Sequence, residues 1–343
     1  MSTAALRIEG LSAPFGSAPG LEDLSFEVQS GERFVLLGAS GAGKTTLLRA
    51  IAGLAPAAAR RMEVAGYDVA ALPPERRDVV YLHQTPLLFP HLTVGRNVGF
   101  PLRVRKVPAA QAAKRVEEAL SAVHLESFAD RMPHTLSGGQ RHRVALARAI
   151  IARPAVLLLD EPFASLDPSL RQEVREAVLT IQREYGPALV LVTHDLDEAG
   201  LLGDQVGVLL RRRLAQVDRP AQLFARPTSL EVARFLGMPN EVVGRIAEQG
   251  CFESVLGVLR VSRTIAPGPS VALFRPEAVR ICERGFMAAP VVALRHRVHQ
   301  TTAIVEVGGT RLEVALGGAR APAAHSLVQL SIDPDQLMIF PAP

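Results

Sequence analysis

Residues 38–45 constrain the fold of this chain more than any other stretch of its sequence. They read GASGAGKT, which fits G-x-x-x-x-G-K-[ST], and they lie between the apolar run RFVLL and the helical run TLLRAIAG. Glycines let the backbone wrap around phosphate oxygens, and the following helix N-terminus contributes ~0.3 to 1 kcal/mol towards binding an anion. We predict an α/β domain that binds nucleotide phosphates. A glycine-rich turn without a ligand is the alternative.

The expected nucleotide-binding residues lie in this glycine-rich turn or in the first turn of the helix that follows it. Lys44 is expected to reach the β and γ phosphates, and the Thr45 hydroxyl is expected to bind Mg2+. The full set is Gly38, Ser40, Gly41, Ala42, Gly43, Lys44, Thr45 and Thr46.

A pair of acids follows a second buried strand, in the run VLLLDEP. Asp160 stands at the strand's carboxyl end, where ligands bind in open α/β sheets, and its oxygens suit a hard cation such as Mg2+. We expect Glu161 to polarise the attacking water, an effect of about 10² to 10⁴ in rate for a positioned general base. Two ordinary surface acids at a strand end are the alternative.

The hydrophobic pattern divides the chain into two parts. Continuous apolar runs such as ALVLVTH alternate with helical patterns, which favours a doubly covered parallel sheet. After residue 240, short strands separated by Gly and Pro replace the helices. We expect a nucleotide-binding domain over residues 1–237, with a helical subdomain at about 86–153, and a small all-β domain over 241–343.

Composition excludes several classes of protein. The net charge of +4 is spread along the chain and gives little support for a nucleic-acid partner. Cys251 and Cys282 lack metal-type spacing and suit a reducing compartment, and we assign them no role. Because no run of about 18 apolar residues is free of charge, we expect a chain that is soluble by itself and meets a membrane only through a partner.

Residues 4–237 closely resemble the ATP-binding subunits of ABC transporters. The resemblance rests on the phosphate-binding turn, YLHQ ending at Gln84, LSGGQ at 136–140, LLLDEP at 157–162, SLD at 165–167 and THD at 193–195, in this order and spacing. It implies ATP hydrolysis with Mg2+ as cofactor.

The resemblance also implies a head-to-tail homodimer. In such a dimer the phosphate-binding turn of one chain faces the LSGGQ turn of the other across ATP, so each chain holds only half of a site. Physically, a γ-phosphate held on one face by Lys44 still presents oxygens on the other, and a hydroxyl with backbone N–H groups can meet them. The residues implied at this interface are Ser137, Gly138, Gly139, Gln140 and Asp167.

Three further roles follow from the resemblance. Gln84 corresponds to the residue that senses Mg2+ and water, which completes a metal set of Thr45, Gln84 and Asp160. His194 corresponds to the histidine that contacts the γ-phosphate and keeps Glu161 in register; it also precedes a helix that Asp195 and Glu198 are expected to start as a capping box. Phe15 occupies the position of the adenine-stacking aromatic, with a core or loop phenylalanine as the alternative.

The segment at 86–101 is similar to the part of importer ATPases that docks against membrane subunits. Leu88, Phe89, His91 and Leu92 are the expected docking residues, with ordinary packing as the alternative for each. FRPEAVRI and the strands after it resemble the small oligomer-binding-like (TOBE) domain of importers. The resemblance implies integral membrane permease subunits as partners and, indirectly, a solute-binding protein.

We therefore expect a peripheral ATPase on the cytoplasmic face of the inner membrane that drives solute uptake. Polyamine, ferric iron and sulfate or thiosulfate are the candidate solutes, and no nucleic-acid partner is expected. A soluble ABC-type ATPase acting on nucleic acid or ribosomes is the alternative; a P-loop kinase or GTPase is disfavoured by the LSGGQ turn. Arg212 and Asp218 stand where relatives have glycine, so the hairpin there is expected to differ in shape at a cost of ~1 kcal/mol or more.

Overall fold

The computed structural model describes residues 4–15, 18–164, 166–247, 250–261, 265–296, 301–316 and 321–342, with the side chains of residues 15, 18 and 19 left undescribed. The chain divides into two compact units, Met1–Leu223 and Phe224–Pro343. Residues 224–237, which the sequence assigns to the first domain, fall in the second unit. No helix among the described residues is both long and apolar enough to cross a membrane.

The first unit combines strands and helices in alternation, as the sequence predicts. Its elements are β1 (Ala4–Phe15), β2 (Ala18–Gln29), β3 (Arg33–Leu37), α1 (Lys44–Ile51), β4 (Arg61–Val64), β5 (Tyr67–Asp68), β6 (Val79–Leu82), α2 (Val94–Val98), α3 (Phe100–Val104), α4 (Ala109–Ser121), α5 (Gly138–Ile150), β7 (Val156–Asp160), α6 (Pro168–Tyr185), β8 (Ala188–Thr193), α7 (Leu196–Leu202), β9 (Gln205–Leu210) and β10 (Arg213–Asp218); α8 (Pro220–Ala225) spans the division.

A central sheet in the order β10-β9-β3-β8-β7-β6 organises this unit. Strands β3, β6, β7, β8 and β9 run parallel, and β10 returns antiparallel beside β9. The apolar runs of β7 and β8 are buried along their whole length, as parallel strands covered on both faces must be. Because parallel strands end at the same edge, the loops after β3, β8, β7 and β6 are neighbours.

An antiparallel sheet in the order β2-β1-β4-β5 lies in the same unit and shares one hydrophobic core with the central sheet. Leu6, Ile8 and Leu11 of β1 are buried in that core together with Phe34 and Leu36 of β3, and an irregularity in the pairing of β1 with β2 lies between Ile8 and Leu11.

The helical subdomain lies between β6 and β7. Helix α4 and the turn after it bury Leu120 and Val123, and Val116 on the same side is half-buried. The helix after LSGGQ ends at Ile150, four residues before Pro154, and a proline does not continue a helix. Helix α5 packs against α2, α4, α6 and β6, so it connects the subdomain with the central sheet.

The second unit is dominated by antiparallel strands, which confirms the predicted change to an all-β domain. After α9 (Leu230–Phe235) it contains β11 (Asn240–Ile246), β12 (Cys251–Ser254), β13 (Gly257–Arg260), β14 (Gly268–Phe274), β15 (Val279–Cys282), β16 (Met287–His296), β17 (Thr301–Val307), β18 (Thr310–Ala315), β19 (Leu327–Ile332) and β20 (Met338–Pro341).

Two sheets, ordered β13-β12-β11-β14-β20 and β15-β19-β16-β17-β18, enclose a separate core that includes Phe252, Phe274 and Leu330. A small sandwich-like or barrel-like domain of this kind is consistent with the expected oligomer-binding-like class.

The β9–β10 hairpin turns on two arginines in left-handed backbone conformations. Arg211 has φ +43° and Arg212 has φ +68°. Non-glycine residues pay about 1 to 2 kcal/mol in this region, so the departure from glycine leaves the hairpin in place but strained. The Arg213 guanidinium donates to the Glu22 carboxylate beside the turn, and the Glu22 N–H donates to the Arg212 carbonyl.

Candidate nucleotide-binding site

The candidate site lies at the carboxyl edge of the central sheet. The phosphate-binding turn follows β3, Glu161 follows β7, the His194 segment follows β8, and Gln84 follows β6. Since β3, β8, β7 and β6 are consecutive neighbours in the sheet, the parallel topology gathers four segments that are up to 156 residues apart in sequence.

The phosphate-binding turn has the backbone that its glycines permit. Gly41 has φ +79° and Gly43 has φ +106°, and a Cβ at Gly43 would lie 2.6 Å from Leu21 Cδ2. Lys44 begins α1, and its ammonium donates to the carbonyl oxygens of Gly38 at 2.8 Å and Ala39 at 3.2 Å. The Lys44 side chain is buried beneath the turn, so its charge faces the space that the turn encloses.

Asp160 is fixed by two hydroxyl donors. The Thr45 hydroxyl donates to Oδ1 at 3.0 Å, and the Tyr81 hydroxyl donates to Oδ2 at 2.6 Å. Burial, reinforced by the bond to Asp160, raises the pKa of the Tyr81 phenol, which keeps it a donor. Sequence reasoning missed Tyr81, although its position on β6, in YLHQ, was a usable signal.

The donor set fits Mg2+. One buried carboxylate and an adjacent hydroxyl are the hard oxygen ligands that this ion uses together with phosphate oxygens and water, rather than an all-protein cage. Thr45 and Asp160 could supply these ligands, because their 3.0 Å contact places both at one point beside the phosphate-binding turn.

Glu161 connects two of the predicted residues. Its Oε1 lies 3.2 Å from Lys44 Nζ and its Oε2 lies 3.4 Å from His194 Nδ1. Its backbone has φ +42°, a left-handed conformation that is costly for glutamate. Its N–H donates to the Val192 carbonyl of β8, which holds this strained residue in place.

The His194 segment is supported from below by a buried pair. The Thr193 hydroxyl donates to Glu198 Oε2 at 2.5 Å, and burial raises the pKa of Glu198. Asp195 caps α7 by accepting from the N–H groups of Asp197 and Glu198, as predicted. The predicted capping box is wrong in its second half, because the Glu198 carboxylate accepts from Thr193 and the Asp195 N–H donates to the Thr193 hydroxyl.

The LSGGQ turn forms the start of α5. Ser137 accepts from the Gln140 N–H at 3.2 Å, and the Gln140 side chain accepts from the Ser137 N–H at 2.9 Å, which is a complete capping box. A Cβ at Gly138 would meet nothing within 4 Å, whereas one at Gly139 would lie 2.7 Å from Leu170 Cδ2. The turn thus offers an open backbone at a helix N-terminus.

Asp167 lies close to this turn. It caps α6 by accepting from the Leu170 N–H at 3.0 Å, and Leu170 is the residue that approaches Gly139. The structure therefore brings Asp167 and the LSGGQ turn to one neighbourhood, and brings Lys44, Thr45, Asp160, Glu161 and His194 together at the sheet edge. Ser165 of the SLD motif lies outside the described residues.

For Gln84 and Phe15 the described part of the chain gives the position in the fold but no side-chain contact with the other predicted site residues. Gln84 is exposed after β6, and its carbonyl oxygen lies 3.1 Å from His142 Nε2 on α5. Phe15 ends β1, and its side chain lies outside the described part of the chain. Ser40 is exposed, whereas Ala42 and Thr46 are half-buried in the phosphate-binding turn and in the first turn of α1.

The expected docking residues differ in accessibility. His91 is exposed and Leu88 and Phe89 are half-buried, but Leu92 is only 8% exposed and packs into the subdomain. The prediction that Leu92 is a docking residue is therefore wrong. Leu87, which sequence reasoning passed over, is 61% exposed.

Known proteins resemble this chain over most of its length. A family model described as ABC transporter matches residues 21–164. The spermidine/putrescine import ATP-binding protein PotA of Lawsonia intracellularis is 39% identical over 322 residues, which cover 89% of this chain and 88% of the relative.

Two further relatives extend the comparison. The molybdate/tungstate import ATP-binding protein WtpC of Pyrococcus horikoshii is 37% identical, with 95% of this chain and 94% of the relative covered. The putrescine transport ATP-binding protein PotG of Escherichia coli is 37% identical over 82% of this chain and 77% of its own length.

Proposed function

Because this chain belongs to the ABC transporter family as the ATP-hydrolysing subunit of an importer, we propose that Glu161 is the catalytic base of its ATPase reaction. The observation that carries the proposal is the position of the Glu161 carboxylate, which lies between Lys44 and His194 at 3.2 and 3.4 Å. A water beside the γ-phosphate would give its proton to Glu161 as its oxygen attacks the γ-phosphorus, and the bond from that phosphorus to the β–γ bridging oxygen would break, releasing ADP and phosphate. His194 would hold the carboxylate in register.

The groups around the phosphates would stabilise the negative charge of the phosphate oxygens. Lys44 binds the β and γ oxygens through its ammonium, and the N–H groups of the turn at 38–45 surround the phosphates. Thr45 and Asp160 would hold Mg2+, with Gln84 as a third ligand, and the ion would neutralise the charge that develops on the phosphate oxygens. Phe15 is proposed to stack on adenine.

We propose that two copies of the chain complete the site head to tail. The open backbone of Gly138, the Ser137 hydroxyl and the N-terminus of α5 would meet the γ-phosphate bound to the other copy. Asp167 and Gln140 would lie at the same interface. A two-fold dimer of this kind contains two equal composite sites.

The subunit is membrane-associated through import partners, and we propose the cytoplasmic face of the inner membrane as its place. Integral permease subunits would contact Leu87, Leu88, Phe89 and His91, and a solute-binding protein would act indirectly through them. We keep residues 1–237 and 241–343 as the proposed domains, the second with a regulatory role.

We propose a polyamine such as spermidine or putrescine as the solute. The support is that two relatives that align with most of this chain, PotA and PotG, are named as polyamine import or transport proteins. The WtpC relative makes molybdate or tungstate the competing solute. The names support transport and give no support to an ATPase acting on nucleic acid or ribosomes.

Uptake in cells lacking the chain's gene tests this proposal. Wild-type chain should restore uptake of labelled spermidine or putrescine, and Lys44→Ala should not, because it lacks the phosphate-binding ammonium. Restored molybdate uptake with unchanged polyamine uptake would refute the polyamine assignment. Equal restoration by Lys44→Ala would refute the ATP-binding role of the turn.

A further inference from the structure

Helix α5 contacts the β6–α2 segment (residues 83–93) at two points through polar side chains. Nε2 of His142 lies 3.1 Å from the Gln84 carbonyl oxygen, and Nη2 of Arg148 donates to the Leu87 carbonyl oxygen at 2.5 Å. The Arg148 guanidinium also lies over the Phe89 ring, 5.2 Å from its centroid. Nothing in the chemistry of ATP hydrolysis described above uses His142 or Arg148.

The two contacts fix the orientation of the segment as well as its position. His142 and Arg148 are six residues apart on α5, which is about 9 Å along a helix axis. Both bond to backbone carbonyls, so they hold the path of the chain whatever side chains the segment presents. Both ring nitrogens of His142 face carbonyl oxygens at 3.1 Å, Nε2 that of Gln84 and Nδ1 that of Gly138 in the first turn of α5, and each nitrogen donates when it carries a proton.

The other end of the segment is fixed by α2. The Asn97 amide is buried, accepts from the Phe89 N–H at 2.8 Å and donates to the carbonyl oxygens of Phe89 and Leu92. Residues 89–93 are therefore tied to α2 by hydrogen bonds, and residues 84–89 are tied to α5. Burial lowers the pKa of Arg148, because removing the charged guanidinium from water costs free energy. The contacts of Arg148 with Leu87 and Phe89 offset part of this cost.

We propose that His142 and Arg148 are positioning residues that join the LSGGQ helix to the β6–α2 segment, so that a displacement of the LSGGQ turn moves the residues offered to the membrane subunit. This inference rests on the proposed composite site, because that site is what displaces the turn. Ser137 and Gln140 cap α5 at its first residue, so the turn and the helix form one rigid element. Each hydrogen bond is worth about 2- to 10-fold in the population of the coupled arrangement.

Hydrogen–deuterium exchange on the full chain tests this coupling. In a Glu161→Gln background, uptake by peptides covering 84–93 and 136–148 is compared with and without ATP and Mg2+. The parent should show an ATP-dependent change in both peptides. His142→Ala combined with Arg148→Met should keep the change at 136–148 and lose most of it at 84–93, and Arg148→Lys alone should retain more of it than Arg148→Met.

Arg105→Met is the matched control. Arg105 also donates from an arginine to a backbone carbonyl, that of Ala152 at 2.7 Å, but it does not bond the β6–α2 segment. This control should leave both responses as in the parent.

The outcomes separate the two proposals. A response at 84–93 that persists in the double variant, or that is missing in the parent while 136–148 responds, overturns the coupling and leaves the composite site standing. A parent that shows no response at 136–148 contradicts the composite site, and the coupling is overturned with it.

Discussion

Oε1 of Glu161 lies 3.2 Å from Nζ of Lys44, so the proposed base and the phosphate-binding cation form an ion pair. A triphosphate would compete with Glu161 for this ammonium. We propose that phosphates bound to Lys44 would release the carboxylate towards water and His194, so that phosphate binding and activation of the base would be linked through one side chain.

Glu161→Gln should therefore separate binding from hydrolysis. The amide cannot accept the proton of water, so the ATPase rate should fall by about 10² to 10⁴. It also competes less for Lys44, so ATP affinity should be equal to or greater than that of the wild type. Rate and nucleotide Kd are measured on the same protein; normal turnover in this variant would refute Glu161 as the base.

Tyr81→Phe should raise the Mg2+ concentration that the ATPase reaction requires. The Tyr81 hydroxyl holds Asp160 at 2.6 Å, and loss of a group that orients a metal ligand typically costs about 10-fold in metal affinity. The Mg2+ concentration for half-maximal ATPase should rise accordingly. Tyr67→Phe is the control, because Tyr67 is 75% exposed; an unchanged Mg2+ dependence in Tyr81→Phe would contradict the role given to Asp160.

Glu198→Gln should change stability in a pH-dependent way. Burial raises the pKa of Glu198 above its ordinary value of 4.5. Its neutral form therefore stabilises the fold fully below pH 4.5, and this contribution is lost as pH rises through the folded pKa. The glutamine variant has no such loss, since its amide oxygen can still accept from Thr193.

The free energy of unfolding, measured by urea titration at several pH values, checks this. The free energy of unfolding of the variant should increase relative to that of the wild type as pH rises above 4.5. Glu75→Gln, an exposed control, should show no such trend. A difference between Glu198→Gln and wild type that stays constant with pH would show that folding does not raise the pKa of Glu198.

Arg212→Gly should raise the melting temperature. Arg212 has φ +68°, and glycine avoids the steric cost of that conformation, although it adds flexibility to the unfolded chain. We expect a net gain of up to about 1 kcal/mol. Arg212→Ala removes the charge but keeps the Cβ, so it should give no gain; a gain of equal size in both variants would assign the effect to charge.

The sequence predicted the sheet edge well, because its motifs directly follow strands and parallel strands end together. Two positions begin a helix, two directly follow a strand and one ends a strand, and such positions are readable from a linear pattern; they are Lys44 and Thr45, Glu161 and His194, and Asp160. Their contacts follow from topology rather than from side-chain detail.

Other contacts depend on packing that a linear pattern does not contain. His142 meets Gln84 across 58 residues and Arg148 meets Leu87 across 61, through the seating of α5 on β6. Leu92 has the same apolar character as Leu87, and only the fold decides that Leu92 is buried and Leu87 exposed. Glu198 fits a capping box by spacing, yet burial directs it to Thr193.

Subunit mixing tests the composite site most directly. Lys44→Ala and Ser137→Arg chains should each be nearly inactive alone, because every site in either homodimer lacks one half. A mixed dimer pairs an intact Lys44 with an intact Ser137 at one of its two sites, so an equal mixture should recover up to about a quarter of wild-type ATPase. No recovery on mixing, together with wild-type hydrolysis by Ser137→Arg alone, would show that one chain completes the site by itself.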